Sequence, residues 1–135
     1  MSDRSELIEL HNRLSKTLDE ERGAAREKRY EKGYRTAREN LDDLVDKDSF
    51  VEYGQLAIAA QKSRRELEEL RTETAADGII TGFGKINSEI LDDKKALSAI
   101  IINDYSVLAG TQGYYHHKKL DRICETCLLY TSDAA

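Results

Sequence analysis

IIINDYSVLAGTQGYYHHKKLD, residues 100–121, decides how the chain is read. The apolar run Ile100-Ile101-Ile102 predicts a strand that ends in Asn103-Asp104. A small-residue turn follows, Leu108-Ala109-Gly110-Thr111-Gln112-Gly113, and then a basic stretch with helical spacing that closes on Leu120 and Ile123. In a strand, glycine-bearing turn and helix, a ligand can meet backbone N–H groups at the helix N-terminus. An ordinary strand-to-helix connection has the same layout, so spacing alone leaves both readings open.

Upstream, Asp77-Gly78 is a turn signal. Residues 79–86, IITGFGKI, read as a strand pairing with the strand of residues 96–103 across a charged connection, residues 87–95. Gly82 and Gly84 fall on one face of that strand, because strand side chains alternate. Two glycines on one face allow close approach of a ligand or of packed neighbours. The final helix is expected to start at Thr111 or Gln112 and to include Cys124.

The N-terminal third is predicted helical. Ser2 is a candidate cap, and Leu7, Leu10, Leu14 and Leu18 form one apolar stripe that needs a partner, with Gly23 marking its end or a kink. Arg22, Arg26, Lys28, Arg29, Lys32, Arg35 and Arg38 crowd the next segment. They fit a phosphate-facing patch, for nucleic acid or for coenzyme A, or a solvated helix face with Glu20, Glu21, Glu27 and Glu31 as neighbours. Thr36 with Glu39 is a capping box, opening a helix over residues 36–45 that buries Leu41, Leu44 and Val45. Phe50 to Tyr53 is a short strand broken by Gly54, and residues 56–60 a second strand or a packed loop. Ser63 with Glu66 is a second capping box, before Leu67 and Leu70.

With 135 residues, 39% hydrophobic, 35% charged and no Pro or Trp, the chain supports a modest, helix-rich core. A net charge of −5 argues against a whole-protein field for nucleic acid. No apolar run approaches the roughly 20 residues of a membrane span, and no signal-like apolar stretch follows Met1. His116 and His117 are adjacent, so on a helix they diverge and do not share a metal; exposed or partner-facing imidazoles are expected. Ser106 lacks a nucleophile elbow, Gly82-Phe83-Gly84 lacks a dinucleotide fingerprint, and Cys124 reads as a small buried residue. Lys118 and Lys119 read as solvent-facing.

Three blocks carry a resemblance: RTARENLDDLVDKDSFVEYGQLAIAAQ (35–61), ADGIITGFGKIN (76–87) and DYSVLAGTQGYYHHKKLDRICE (104–125). In this order and spacing they resemble biotin-dependent acyl-CoA carboxyltransferases, most of all the long acyl-CoA carboxylases in which carboxyltransferase and biotin parts share one chain. The resemblance implies an α/β fold: N-terminal helices, then the first strands and helix of a crotonase-like carboxyltransferase domain, truncated. It divides the chain into a helical segment, 1–45, the start of the carboxyltransferase N-terminal domain, 46–126, and a tail, 127–135. That tail, CLLYTSDAA, resembles a translated sequencing-library adapter, which would make Cys127 and the Cys124–Cys127 pair artefacts.

The implied reaction moves CO2 from carboxybiotin, carried on a partner domain, to an acyl-CoA. The implied partners are the rest of the carboxyltransferase, a biotin carboxylase and a biotin carrier, in a cytoplasmic homo-oligomer without nucleic acid or membrane. The family's Ser-Gly-Gly-Ala-Arg-like acyl-CoA oxyanion block does not occur in these residues. No catalytic residue, metal ligand or bound cofactor is therefore expected in this chain alone. Ala109, Gly110, Thr111, Gln112 and Gly113 would form an acyl-CoA-proximal turn. A small helical interaction module built on the leucine stripe, and a nucleic-acid-binding protein using residues 22–38, are the alternatives.

Overall fold

The structure, a computed structural model, describes residues 2–132. Three antiparallel strands form one sheet in the order β1 (Val51–Tyr53), β2 (Ile79–Lys85), β3 (Leu97–Asn103). Ile79 pairs with Asn103 and Lys85 with Leu97, so the expected hairpin forms, one residue shorter on each strand at its closed end. The connection between them contains a short helix, α5 (Asp93–Ala96), capped by the Asp92 carboxylate at the Lys95 N–H. Ala96 thus closes that helix, and β3 starts one residue later.

The alternation of β2 puts different partners on its two faces. Ile80 joins Ile100, Ala37 and Leu41 in the buried cluster beneath α3 (Ala37–Leu44), with Val45, Phe50, Ile86 and Ile102 packed around it. Ile79 and Thr81 face the other way, toward α6 (Tyr114–Ser132), whose Ile123 is buried. A helix on each face of a small sheet is a sound layered solution for a chain of this size.

Thr36 caps α3 as expected. Its hydroxyl accepts the Glu39 N–H at 3.0 Å, and the Glu39 carboxylate accepts the Thr36 N–H at 2.8 Å. Leu41 and Val45 turn inward, but Leu44 is 46% exposed, because Ala37, Leu41 and Val45, spaced four apart, take the inward face and leave Leu44 off it. A part-buried, bidentate Arg38–Glu52 pair at 2.5 and 3.0 Å ties this helix to β1.

Several expectations are corrected. The first helix, α1 (Ser2–Ser15), stops before Leu18, and Gly23 opens α2 (Gly23–Tyr30) rather than ending α1. Turns bonded from Thr17, Leu18, Glu21 and Arg22 break the stripe into separate pieces. Leu7 and Leu10 remain 50% and 42% exposed. The cap read for Ser2 lies outside the described side chains. Ser63 caps nothing: α4 (Leu67–Glu73) starts after Glu66 with no side-chain cap bond. Arg65 instead pairs with Glu69 at 2.6 Å and with Glu73. Residues 56–60 are a packed loop, with Ala59 buried and its N–H bonded to Thr74 Oγ1 at 2.9 Å.

Gly82 and Gly84 make room for protein. A Cβ at Gly82 would lie 2.1 Å from the Val51 carbonyl oxygen and 2.7 Å from the Phe50 ring, and one at Gly84 3.2 Å from Val45. Gly82→Ala is expected to destabilise the chain by about 3 kcal/mol in urea unfolding. Gly23→Ala, with nothing within 4 Å of its Cβ, serves as a neutral control. Equal midpoints for the two variants would contradict this packing.

Candidate functional site

After β3 the chain folds back over the start of β2, and the Asp104 N–H bonds the Gly78 carbonyl at 2.8 Å. Asp104 then organises the turn, accepting the Ser106 N–H at 2.9 Å and its hydroxyl at 2.5 Å. Leu108, Ala109 and Gly110 follow with φ of 46°, 54° and 79°. A left-handed residue with a side chain costs roughly 1–2 kcal/mol, so only Gly110 adopts it freely. A Cβ at Gly110 would also approach the Tyr105 ring to 2.9 Å. Thr111 closes the turn, its N–H and hydroxyl on the Leu108 carbonyl at 3.1 and 2.7 Å. Ala109, Gly110, Thr111 and Gln112 are exposed, Gly113 is half-buried, and α6 starts at Tyr114, two or three residues later than predicted.

Beneath this turn lies a second left-handed run, Ala76, Asp77 and Gly78, with φ of 54°, 47° and 74°. Asp77 is 1% exposed, and its carboxylate reaches the N-terminus of α6. Oδ2 accepts the His116 N–H at 2.9 Å, and Gly113 passes so close that a Cβ there would sit 2.9 Å from Oδ1. A carboxylate suits the positive end of a helix. His116 Nδ1 lies 3.1 Å from the Asp77 carbonyl. A carbonyl only accepts, so Nδ1 donates there, and the buried Nε2 has no hydrogen-bond partner among the described residues.

Lys119, one turn on, donates to the carbonyls of Ala76, at 2.8 Å, and of Ile79. Burial pushes its ammonium down to about 8; Glu52 and Asp77 oppose that and the Arg38 charge adds to it. Three predictions are therefore corrected. His116 and Lys119 are buried, not solvent-facing, because they share the face of α6 that carries Ile123. Cys124, the next residue round the helix, is exposed rather than buried.

The basic segment divides. Arg22 is 8% exposed and bonds Asp104 at 2.8 Å and Ser106 at 3.1 Å, tying α2 to the turn after β3. Burial alone would raise the Asp104 carboxyl, but bonds from Ser106 and the charge of Arg22 outweigh it and hold it below the usual carboxylate range. Arg35 pairs with Asp43 at 3.1 Å and Arg38 with Glu52, so their partners lie outside the interleaved glutamates. Arg29 stacks its guanidinium over Tyr34 and Tyr105, 4.8 and 5.7 Å from the ring centres. Between α2 and the turn lies an open cleft of about 470 Å³, with Lys28, Arg29 and Lys32 on one side and Tyr105, Leu108 and Ala109 on the other. The structure thus brings one predicted turn residue, Ala109, against the basic segment; Gly110, Thr111, Gln112 and Gly113 do not line that cleft.

The residues that sequence reasoning missed are Asp77, Lys119 and the Arg22–Asp104 pair. For Lys119 a signal existed, since positions 116, 119 and 123 recur at spacings of three and four. Among the described residues no group of three or more His, Cys, Asp and Glu could hold a metal ion, and no helix is long and apolar enough to cross a membrane.

Comparison with known proteins agrees with the resemblance. The family model of the carboxyl transferase domain matches residues 28–130. The chain is 34% identical over 123 residues to the biotin-dependent acetyl-/propionyl-coenzyme A carboxylase beta5 subunit of Mycobacterium leprae, covering 90% of this chain and 20% of that one. It superposes with a TM-score of 0.87 and 49% identity on a single-chain, multi-domain long-chain acyl-CoA carboxylase, covering 90% of this chain and 12% of that one. The transcarboxylase 12S structure, described as a hexamer with methylmalonyl-coenzyme A bound, superposes with a TM-score of 0.66 and 28% identity over 96% of this chain and 23% of its own. The chain therefore spans about a fifth of the length of the curated relatives it matches. These neighbours share the crotonase-like architecture that the mixed helices and strands were expected to begin.

Lys119 yields a pH prediction. Its folded pKa of about 8 lies below the ordinary 10.5, so between those values the unfolded chain binds the extra proton and stability rises with pH. The rise is at most about 3 kcal/mol, since the two carbonyl acceptors favour the ammonium. Urea unfolding from pH 7 to pH 10 is expected to show that gain relative to Lys119→Met. Parallel pH profiles for the two proteins would contradict the burial of the charge.

Proposed function

Because the chain belongs to the carboxyl transferase domain family, we propose that it is part of the carboxyltransferase component of a biotin-dependent acyl-CoA carboxylase. The whole protein transfers CO2 from carboxybiotin to an acyl-CoA such as acetyl-CoA or propionyl-CoA. The observation that supports this most is the 49% identity, over 90% of the chain, to the single-chain acyl-CoA carboxylase. It exceeds the 34% to the separate beta5 subunit, which favours the branch with carboxyltransferase and biotin parts on one chain.

In this reading carboxybiotin arrives on a biotin carrier part, charged by a biotin carboxylase part, in a cytoplasmic oligomer. No residue of this chain is assigned to hold biotin. Residues 46–126 form the start of the carboxyltransferase N-terminal domain, preceded by the helical segment of residues 1–45. Ala109, Gly110, Thr111, Gln112 and Gly113 lie near the acyl-CoA. Backbone N–H groups at such turns stabilise developing enolate charge without a titrating side chain. Here the turn's role is binding and shaping, because the Ser-Gly-Gly-Ala-Arg-like block does not occur in these residues.

Two outcomes follow for these residues. Incubated with carboxybiotin and acetyl- or propionyl-CoA, the 135-residue chain is expected to form no malonyl- or methylmalonyl-CoA above background; measurable product would overturn the assignment of catalysis to other segments. In the whole carboxylase, Gly110→Val is expected to lower kcat/KM for the acyl-CoA by about tenfold, through strain at φ 79° and the Tyr105 contact. An unchanged kcat/KM in a folded variant would leave the turn with packing alone.

A further inference from the structure

We propose that the outer edge of β3 is an interaction surface for a second copy of this chain. Residues 97–103 of the two copies pair antiparallel about a two-fold axis at Ile100, joining their two sheets into one.

The ladder with β2 determines which backbone groups of β3 are free. The Asp104 N–H bonds the Gly78 carbonyl at 2.8 Å, and the Ile86 N–H bonds the Ala96 carbonyl at 2.9 Å. These bonds lie just outside the end pairs Ile79–Asn103 and Lys85–Leu97, which are therefore of the non-hydrogen-bonded kind. The two kinds alternate along an antiparallel ladder. Ser98, Ile100 and Ile102 thus exchange bonds with β2, while Leu97, Ala99, Ile101 and Asn103 turn their N–H and C=O groups outward. The order β1-β2-β3 puts no strand of the described residues on that side. The same four residues are exposed, Leu97 at 56% and Ile101 at 43%, so the edge is open along its length.

Free edges are normally guarded by shortness, charge, proline or a bulge. The opposite edge, β1, is three residues long and carries Glu52. β3 has seven residues, LSAIIIN, with no charge and no proline, and its register with β2 contains no bulge. A second copy fits this edge by symmetry. With Ile100 facing its own mate, Leu97 meets Asn103 and Ala99 meets Ile101 of the other copy. Every outward N–H and C=O of both strands then falls in a hydrogen-bonded pair. No like charges face each other across the axis, because neither strand carries any. The side chain of Ile101 lies against Ala99 and, diagonally, Leu97 of the other copy, covering apolar surface on the face that also bears Val51 and Tyr53, 58% and 44% exposed. Each copy has one such edge, so association closes at a dimer.

The test is sedimentation equilibrium of the 135-residue chain between about 5 and about 500 µM, with amide hydrogen exchange read by NMR at both ends of that range. A dimer is expected to form across the range. The amides of Leu97, Ala99, Ile101 and Asn103 are expected to gain at least about tenfold protection at the high end, while those of Ser98, Ile100 and Ile102 are protected throughout by β2. Ala99→Lys, at an exposed position whose N–H and C=O take no part in the β2 ladder, is expected to raise the dimer Kd by at least about tenfold, since it sets two like charges close across the axis. Val51→Lys, on the opposite edge, is expected to leave it unchanged. The exchange pattern of the unaltered chain needs no variant to fold. A monomer at every concentration, a dimer whose four outward amides still exchange freely, or a dimer indifferent to Ala99→Lys would overturn the pairing.

Discussion

A buried carboxylate anchors the C-terminal half of the fold. Asp77, 1% exposed, sits in the middle of a left-handed turn and accepts the His116 N–H in the first turn of α6. The same turn offers its carbonyls to the other side chains of the helix face, Asp77 to His116 and Ala76 to Lys119. A helix that docks with its polar face inward needs those partners, since buried polar groups without them cost about 1–3 kcal/mol each. The arrangement fixes where α6 begins, and hence where the preceding turn, Ala109 to Gly113, must run. It also explains the close passage of Gly113 against the Asp77 carboxylate.

A second buried contact sets the other side of the candidate site. Arg22 and Asp104, with side chains 6% and 13% exposed, join α2 to the turn after β3. Removing one member of such a pair leaves an unpaired buried charge, the costly outcome for a buried ion pair. Through this contact the basic segment faces Tyr105, Leu108 and Ala109 across one cleft. Arg22 and Arg38 thus act inside the fold, whereas Lys28 and Lys32 between them face outward. One run of cations in the sequence does two different jobs.

The legible parts were those governed by local rules. The Thr36–Glu39 capping box, the hairpin of β2 and β3, and the packing use of Gly82 and Gly84 follow from short-range chemistry. The family resemblance was legible because whole blocks of residues carry it. The polar interior was not, since His116, Lys119 and Asp77 are types that usually face water, and only tertiary partners bring them inside. The 3-and-4 spacing of His116 and Lys119 with Ile123 held the clue, but a charged residue in that stripe read as surface. Ser63 shows the opposite failure: a correct motif without its structure, because Arg65 pairs with Glu69 and Glu73 while the helix starts later.

Hydrogen exchange at the His116 amide tests the anchoring by Asp77 most directly. Protection matching that of the central β2–β3 amides, such as Ile80 and Ile102, is the predicted result, because the N–H is buried on an internal carboxylate within the same cooperative unit. Exchange as fast as that of the exposed α1 helix would contradict it, leaving α6 undocked and the turn before it without a fixed place.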